Sequence, residues 1–119
     1  MATSNHLNTN LPILKRILVI GNGGRENALG WALRKCNGIE RVWIAPGNGG
    51  THSHDGCHRI EIKETDIEGL VYQCHSKQID LVVIGPEAPL SLGVADGLRE
   101  AGLTVFGPGA IGSQLEASK

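Results

Sequence analysis

Ile17-Leu18-Val19-Ile20-Gly21-Asn22-Gly23-Gly24-Arg25-Glu26 decides the fold, because a run of four aliphatics stops in a glycine turn that opens a helix. An unbroken aliphatic run reads as a strand buried on both faces, as in a parallel sheet. The glycines let the backbone turn sharply and come close to a ligand. The helix that follows directs its first N–H groups back at the turn. Those donors, with the positive end of the helix dipole, suit a phosphate or carboxylate.

Outward from this stretch the same alternation recurs. Arg16 to Ile20 is the first strand and Glu26 to about Lys35 the first helix, with Ala28, Leu29, Ala32 and Leu33 at helical spacing and Trp31 at the margin. Arg41 to Ala45 reads as a second strand ending in Pro46-Gly47-Asn48-Gly49-Gly50, and His58 to Ile62 as a short third. Thr65-Asp66-Ile67-Glu68 reads as a capping box for a helix that turns Ile67, Leu70, Val71 and Cys74 inward. Leu81 to Ile84 is a buried strand ending at Gly85-Pro86-Glu87-Ala88-Pro89-Leu90. A helix from about Leu92 to Ala101 closes at Gly102, Thr104 to Phe106 is a fifth strand, and a further helix begins near Ala110. Strands alternating with helices across short turns predict an α/β, Rossmann-like parallel sheet of about five strands with helices on both faces. Ligands of such sheets bind outside the carboxyl ends of the strands. The turns after strands one, two and four should therefore converge on one cleft.

Composition bounds the rest. A chain of 119 residues is about one domain, and 17 glycines gathered at strand ends read as working turns rather than low complexity. Eleven basic against twelve acidic residues, a net charge of -1, favour neither a nucleic-acid backbone nor an anionic membrane as partner. No apolar segment approaches the length of a membrane span. Cys36, Cys57 and Cys74 are an odd count without close pairing, and the polar residues Met1 to Asn10 lack the pattern of a secretory signal, so a reducing cytoplasm is expected. Residues 1–15 are expected to be a disordered leader before a single domain over 16–119.

Asn22, Gly23 and Gly24 offer backbone donors, and Arg25 a charged fork that matches phosphate oxygens. The structural alternative is a glycine turn serving only tight strand-to-helix packing. Glu26 either favours the helix N-terminus by its charge or accepts hydrogen bonds from a ligand. Gly47 and Asn48 stand in the second turn. Pro86 and Glu87 place a carboxylate in a stiffened third turn, where it suits neighbouring ribose hydroxyls, or else serves only as a helix charge.

A dinucleotide site asks for G-x-G-x-x-G and an acidic residue about 20 positions on. Gly21 and Gly23 match, but Glu26 replaces the third glycine and Ala45-Pro46 stands where the acid belongs, so a monophosphate ligand fits better. His52, His54, Cys57 and His58 could supply three metal ligands, yet they lie in a polar loop without a second cysteine pair, and no metal is expected. Cys36 and Cys74 read as inward packing residues near helix ends. No P-loop or Ser/His/Asp order is present, and no residue is assigned a catalytic role.

Taken together, several ordered blocks resemble the N-terminal domain of the phosphoribosylamine–glycine ligase (glycinamide ribonucleotide synthetase) family. They are Val-Ile-Gly-Asn-Gly-Gly-Arg-Glu at Val19 to Glu26, Ala-Pro-Gly-Asn-Gly-Gly at Ala45 to Gly50, Thr-Asp-Ile-Glu at Thr65 to Glu68, Gly-Pro-Glu-Ala-Pro-Leu at Gly85 to Leu90, and Phe-Gly-Pro followed by Gln-Leu-Glu-Ala-Ser-Lys. The resemblance runs from Arg16 to Lys119. It implies a pre-ATP-grasp domain of a ligase that joins phosphoribosylamine to glycine in purine synthesis, with ATP and magnesium, through a glycyl phosphate. It also implies that Asn22, Gly23, Gly24, Arg25 and Glu26 meet the ribonucleotide, with Glu87 and the Pro46 to Gly50 turn completing the cleft. Asn27 stands where the family usually has histidine. The family's ATP-grasp region, with the ATP, magnesium and glycine sites, would follow Lys119, so this chain is expected to be inactive alone. The competing readings are a stand-alone dinucleotide-binding module and a purely structural domain.

Overall fold

The computed structural model describes residues 14–53, 56–85 and 92–107. Five strands, β1 (Arg16–Gly21), β2 (Arg41–Pro46), β3 (Cys57–Arg59), β4 (Leu81–Ile84) and β5 (Val105–Phe106), form one sheet in the order β3-β2-β1-β4-β5. Every pairing is parallel. Among the described residues three α-helices accompany them, α1 (Gly24–Arg34), α2 (Ile67–Ser76) and α3 (Leu92–Glu100), with a short 3-10 turn at Thr51–Ser53. The sheet is the expected Rossmann-like α/β architecture.

Alternation along the strands sorts their side chains between two layers. Leu18, Ile20, Trp43, Ala45, Val82, Ile84 and Val105 pack with Leu70 and Cys74 of α2 and with Val94, Ala95 and Leu98 of α3. Ile17, Val19, Val42, Ile44 and Val83 pack on the other side, against Leu29, Trp31 and Leu33 of α1. Both faces of β1 are thus covered, which is why Ile17 to Ile20 is an unbroken aliphatic run. Its start is fixed by Asp80, whose carboxylate accepts the backbone N–H groups of Lys15 (2.8 Å) and Arg16 (2.9 Å).

Several local expectations shift. The α2 cap is Asp66 rather than Thr65: Asp66 Oδ1 accepts the N–H of Gly69 at 3.0 Å. Strand β3 starts at Cys57 and stops at Arg59, leaving Ile60 and Ile62 to pack from the connection that follows. Ala28 and Ala32 are exposed, and α1 turns Glu26, Asn27 and Gly30 inward instead. Cys36 is exposed, whereas Cys57 and Cys74 are buried as free thiols. Among the described residues no helix is long and apolar enough to cross a membrane. The leader Met1 to Asn10, His54, the Pro86 to Leu90 turn and the helix expected near Ala110 lie outside the described residues.

Candidate functional site

The register puts the strand ends level. Gly21 pairs with Pro46 across β1 and β2, and Ile20 with Ile84 across β1 and β4, so the turns leave the sheet side by side at its carboxyl edge. The chain runs from β1 outward through β2 and β3, then returns to β4 on the other side of β1. That reversal is the switch point at which open α/β sheets bind ligands.

Backbone hydrogen bonds close the rim. The N–H of Gly47 donates to Gly21 O at 3.0 Å, and that of Gly85 to Ile20 O at 2.8 Å. Gly21 and Gly47 have φ of +149° and +64°, conformations that a side chain disfavours. Arg59 Nε donates to Pro46 O at 2.8 Å and braces the start of the second turn from β3.

Glu26 shapes the first turn from beneath. It is fully buried, and its Oε1 accepts the N–H of Gly23 at 2.8 Å, the reciprocal half of a capping box. Its side chain lies against the backbones of Gly21 and Gly85, where a Cβ on either would collide with it. The amide of Gly23 is therefore engaged within the chain. Gly24 is exposed with open space around it, and Arg25 and Asn22 are exposed beside it. Of the two glycine amides expected to face a ligand, Gly24 has the open position.

The second turn is held by Asn48, which the sequence had singled out for a ligand, and by Asn27 and Thr51, for which the sequence suggested no such role. Asn48 Nδ2 donates to Asn22 O at 2.7 Å, joining the turn after β2 to the turn after β1. Asn48 Oδ1 accepts both the N–H of Gly50 and Nδ2 of Asn27, each at 2.8 Å. Asn27, at the position where the resembled family has histidine, is a buried structural tie. A polar residue on the inward stripe of α1, opposite a threonine in a glycine turn, was the available signal.

The remaining candidates fall away from this rim or outside the described residues. Pro86 and Glu87 are among the latter. His52 and His58 are 6.4 Å apart between ring centroids and nearly edge-on, and His58 also lies 6.2 Å from Trp43. Among the described residues no group of three His, Cys, Asp or Glu is arranged to hold a metal ion. Burial raises the Cys57 thiol pKa, an effect that the neighbouring Arg34 partly offsets, and burial pushes that of Cys74 up to about 11. Both are packed thiols rather than nucleophiles.

The family model described as "Phosphoribosylglycinamide synthetase, N domain" matches residues 15–116. Phosphoribosylamine–glycine ligases of Vibrio parahaemolyticus and Haemophilus influenzae are 49% and 50% identical to the chain over 104 and 103 residues. That of Escherichia coli is 48% identical over 104 residues. Each alignment covers 87% of this chain and 24% of the relative, so the chain spans about a quarter of their length. Among solved structures, one titled "Crystal structure of RSP in complex with beta-NADH" superposes on 98% of this chain and 65% of its own, with a TM-score of 0.50 and 14% identity, a likeness of fold alone. Matched by that family model over residues 15–116, the chain belongs to the phosphoribosylglycinamide synthetase N-domain family.

Proposed function

We propose that this chain is the part of a phosphoribosylamine–glycine ligase that holds the ribose phosphate of phosphoribosylamine, at the carboxyl edge of its sheet. The observation that carries the reading is the joined rim. The turns after β1 and β2 are hydrogen-bonded to one another beside the N-terminus of α1, in a chain of this family. Gly24 and the first turn of α1 supply main-chain donors for the phosphate, and Arg25 a guanidinium. Asn22, Gly47 and Asn48 line the neighbouring wall, and Pro86 and Glu87, which follow β4 in the sequence, are assigned to the same ligand. Gly23 and Glu26 support that surface from below. The bound sugar is thereby fixed with its amine presented to a glycine carboxyl activated elsewhere.

The described residues do not fit a magnesium–ATP site. Three suitable carboxylate or imidazole ligands are nowhere brought together among them, and the Glu26 carboxylate at the rim is engaged by Gly23. ATP, magnesium and glycine are assigned in this reading to the remaining three quarters of a ligase of the relatives' length, and the leader and single-domain division at 1–15 and 16–119 goes with it. A role on small metabolites also suits the cytoplasm, which free cysteines favour.

Calorimetric titration of the chain with ribose 5-phosphate and, separately, with NAD tests the proposal. Saturable binding of the sugar phosphate alone supports it, whereas saturable binding of NAD alone overturns it. Supplied with ATP, glycine and phosphoribosylamine, the chain is expected to form no ADP. Turnover by these 119 residues would place the chemistry here after all.

A further inference from the structure

Three hydrogen bonds between Asn27, Asn48 and Thr51 form a closed ring. Asn27 Nδ2 donates to Asn48 Oδ1 at 2.8 Å, the N–H of Asn48 donates to Thr51 Oγ1 at 2.9 Å, and Thr51 Oγ1 donates to Asn27 Oδ1 at 2.8 Å. The Thr51 hydroxyl and the Asn27 amide each accept at one end and donate at the other in the same sense, so the bonds polarise along a relay that the Asn48 main chain and side chain close. Asn27 and Thr51 are both buried, where an unmet amide or hydroxyl is costly and the ring is favoured over solvent.

The ring has an arm at each side. Asn48 Oδ1 also accepts the N–H of Gly50, which curls the second turn, and Asn48 Nδ2 donates to Asn22 O, which lies in the first. Asn27 itself sits on α1, one residue beyond the Glu26 that caps the same helix. Helix start, first turn and second turn are thus fastened at one point.

We infer that Asn27, acting through Asn48 and Thr51, is a positioning residue that locks the turn after β2 onto the turn after β1, so that the two form one rigid edge for a sugar phosphate beside the start of α1. The effect on ligand rests on the proposed function; the locking does not. Asn27 touches no ligand in this account. Its contribution is that the second turn does not have to be ordered when the ligand arrives, which lowers the entropy lost on binding.

The test compares the wild-type chain with Asn27→Asp, Thr51→Val and Thr51→Ser, using Asn37→Asp, an exposed residue beyond the far end of α1, as control. Asn27→Asp keeps the size of the side chain but sets a carboxylate oxygen against Asn48 Oδ1. Thr51→Val removes both bonds made by the hydroxyl, and Thr51→Ser retains them. Amide hydrogen exchange is followed at Asn48, Gly50 and Asn22 to Gly24, and ribose 5-phosphate affinity by calorimetry. Asn27→Asp and Thr51→Val are expected to raise exchange at Asn48 and Gly50, with a smaller rise in the first turn, and to weaken binding roughly tenfold. Thr51→Ser and Asn37→Asp should follow wild type, and Thr51→Ser keeps the comparison interpretable if a harsher variant fails to fold. Unchanged exchange at Gly50 in folded Asn27→Asp and Thr51→Val overturns the lock. Raised exchange with unchanged affinity overturns the positioning role. If wild type binds no ribose 5-phosphate, the proposed function and the positioning role both fall, while the exchange pattern still decides whether the lock exists.

Discussion

Two adjacent charges at the start of α1 do opposite work. Glu26 is turned inward, fully buried between the backbones of Gly21 and Gly85, and Arg25 is turned out into solvent. In a dinucleotide fold the third glycine, at the position of Glu26, leaves room for the helix to pack closely on the strand beside the pyrophosphate. Here a carboxylate side chain fills that room, and its like charge repels a diphosphate at close range. Arg25 is the residue proposed to meet an anion, and its exposure sets the size of its effect. A shielded guanidinium–phosphate pair is worth up to about 3 kcal/mol, but water and salt around an exposed one reduce that. Arg25→Ala is therefore expected to weaken ribose 5-phosphate binding by about 1 to 1.5 kcal/mol, roughly fivefold to tenfold, measured by calorimetry at low salt. The difference from wild type should shrink in 0.5 M salt. An unchanged affinity at low salt would remove Arg25 from the site.

Among the elements, α1 shows best where sequence reading succeeds and where it stops. Its existence was legible from the glycine turn, but its inward face only in part, since Leu29 and Leu33 pack against the sheet as expected. A pattern scored on hydrophobicity takes Ala28 and Ala32 as inward, whereas the helix lies on the sheet through Gly30, Asn27 and Glu26. Close approach selects glycine there, and a polar residue can face inward because the second turn supplies its partners. A Cβ at Gly30 would stand 2.7 Å from Ile44 Cδ1 and 3.6 Å from Val42 Cγ1. Gly30→Ala gains roughly 1 kcal/mol of helix propensity and needs only the tip of the Ile44 side chain to move, so a change near zero is expected. Gly30→Val adds two methyls that the tip cannot clear and should destabilise the chain by about 2 kcal/mol in urea unfolding. If Val proves as stable as Ala, the helix does not pack this closely. At α2 the capping-box reading took Thr65 and so missed the cap by one residue, since both residue types cap helices. Because Asp66 Oδ1 accepts the N–H of Gly69, Asp66→Ala should lose about 1 kcal/mol in the same measurement and Thr65→Ala almost nothing.

For the molecule as a whole, the inner strands β1, β2 and β4 were readable because a doubly covered sheet demands nearly continuous apolar runs, and β4 was located to the residue, whereas the edge strand β3 carries no such run and was placed a residue late. Burial of the thiols was harder to read, because cysteine carries no periodic signal of its own. Cys36 was expected inward and is exposed, while Cys74 lies 1% exposed among Leu70, Val94 and Leu98, where α2 and α3 meet the sheet. That position ties one side chain to global stability at high pH. Burial disfavours the thiolate and moves the Cys74 pKa from 9.0 to about 11. Below pH 9 the thiol is protonated whether the chain is folded or not, and its contribution is fully present. Between pH 9 and about 11 the unfolded chain releases the proton while the folded chain keeps it, so unfolding is favoured and stability falls with rising pH, by about 3 kcal/mol once the folded pKa is passed. Cys57, raised in the same direction, adds to the fall. Urea unfolding of wild type and Cys74→Ala at intervals from pH 7 to 11 isolates the effect, since lysine and tyrosine titrations are common to both proteins. The two curves are expected to run parallel up to pH 9 and to converge above it, because alanine has no proton to lose. Curves that stay parallel to pH 11 would mean that water reaches Cys74, and that the layer beneath α2 and α3 is not closed.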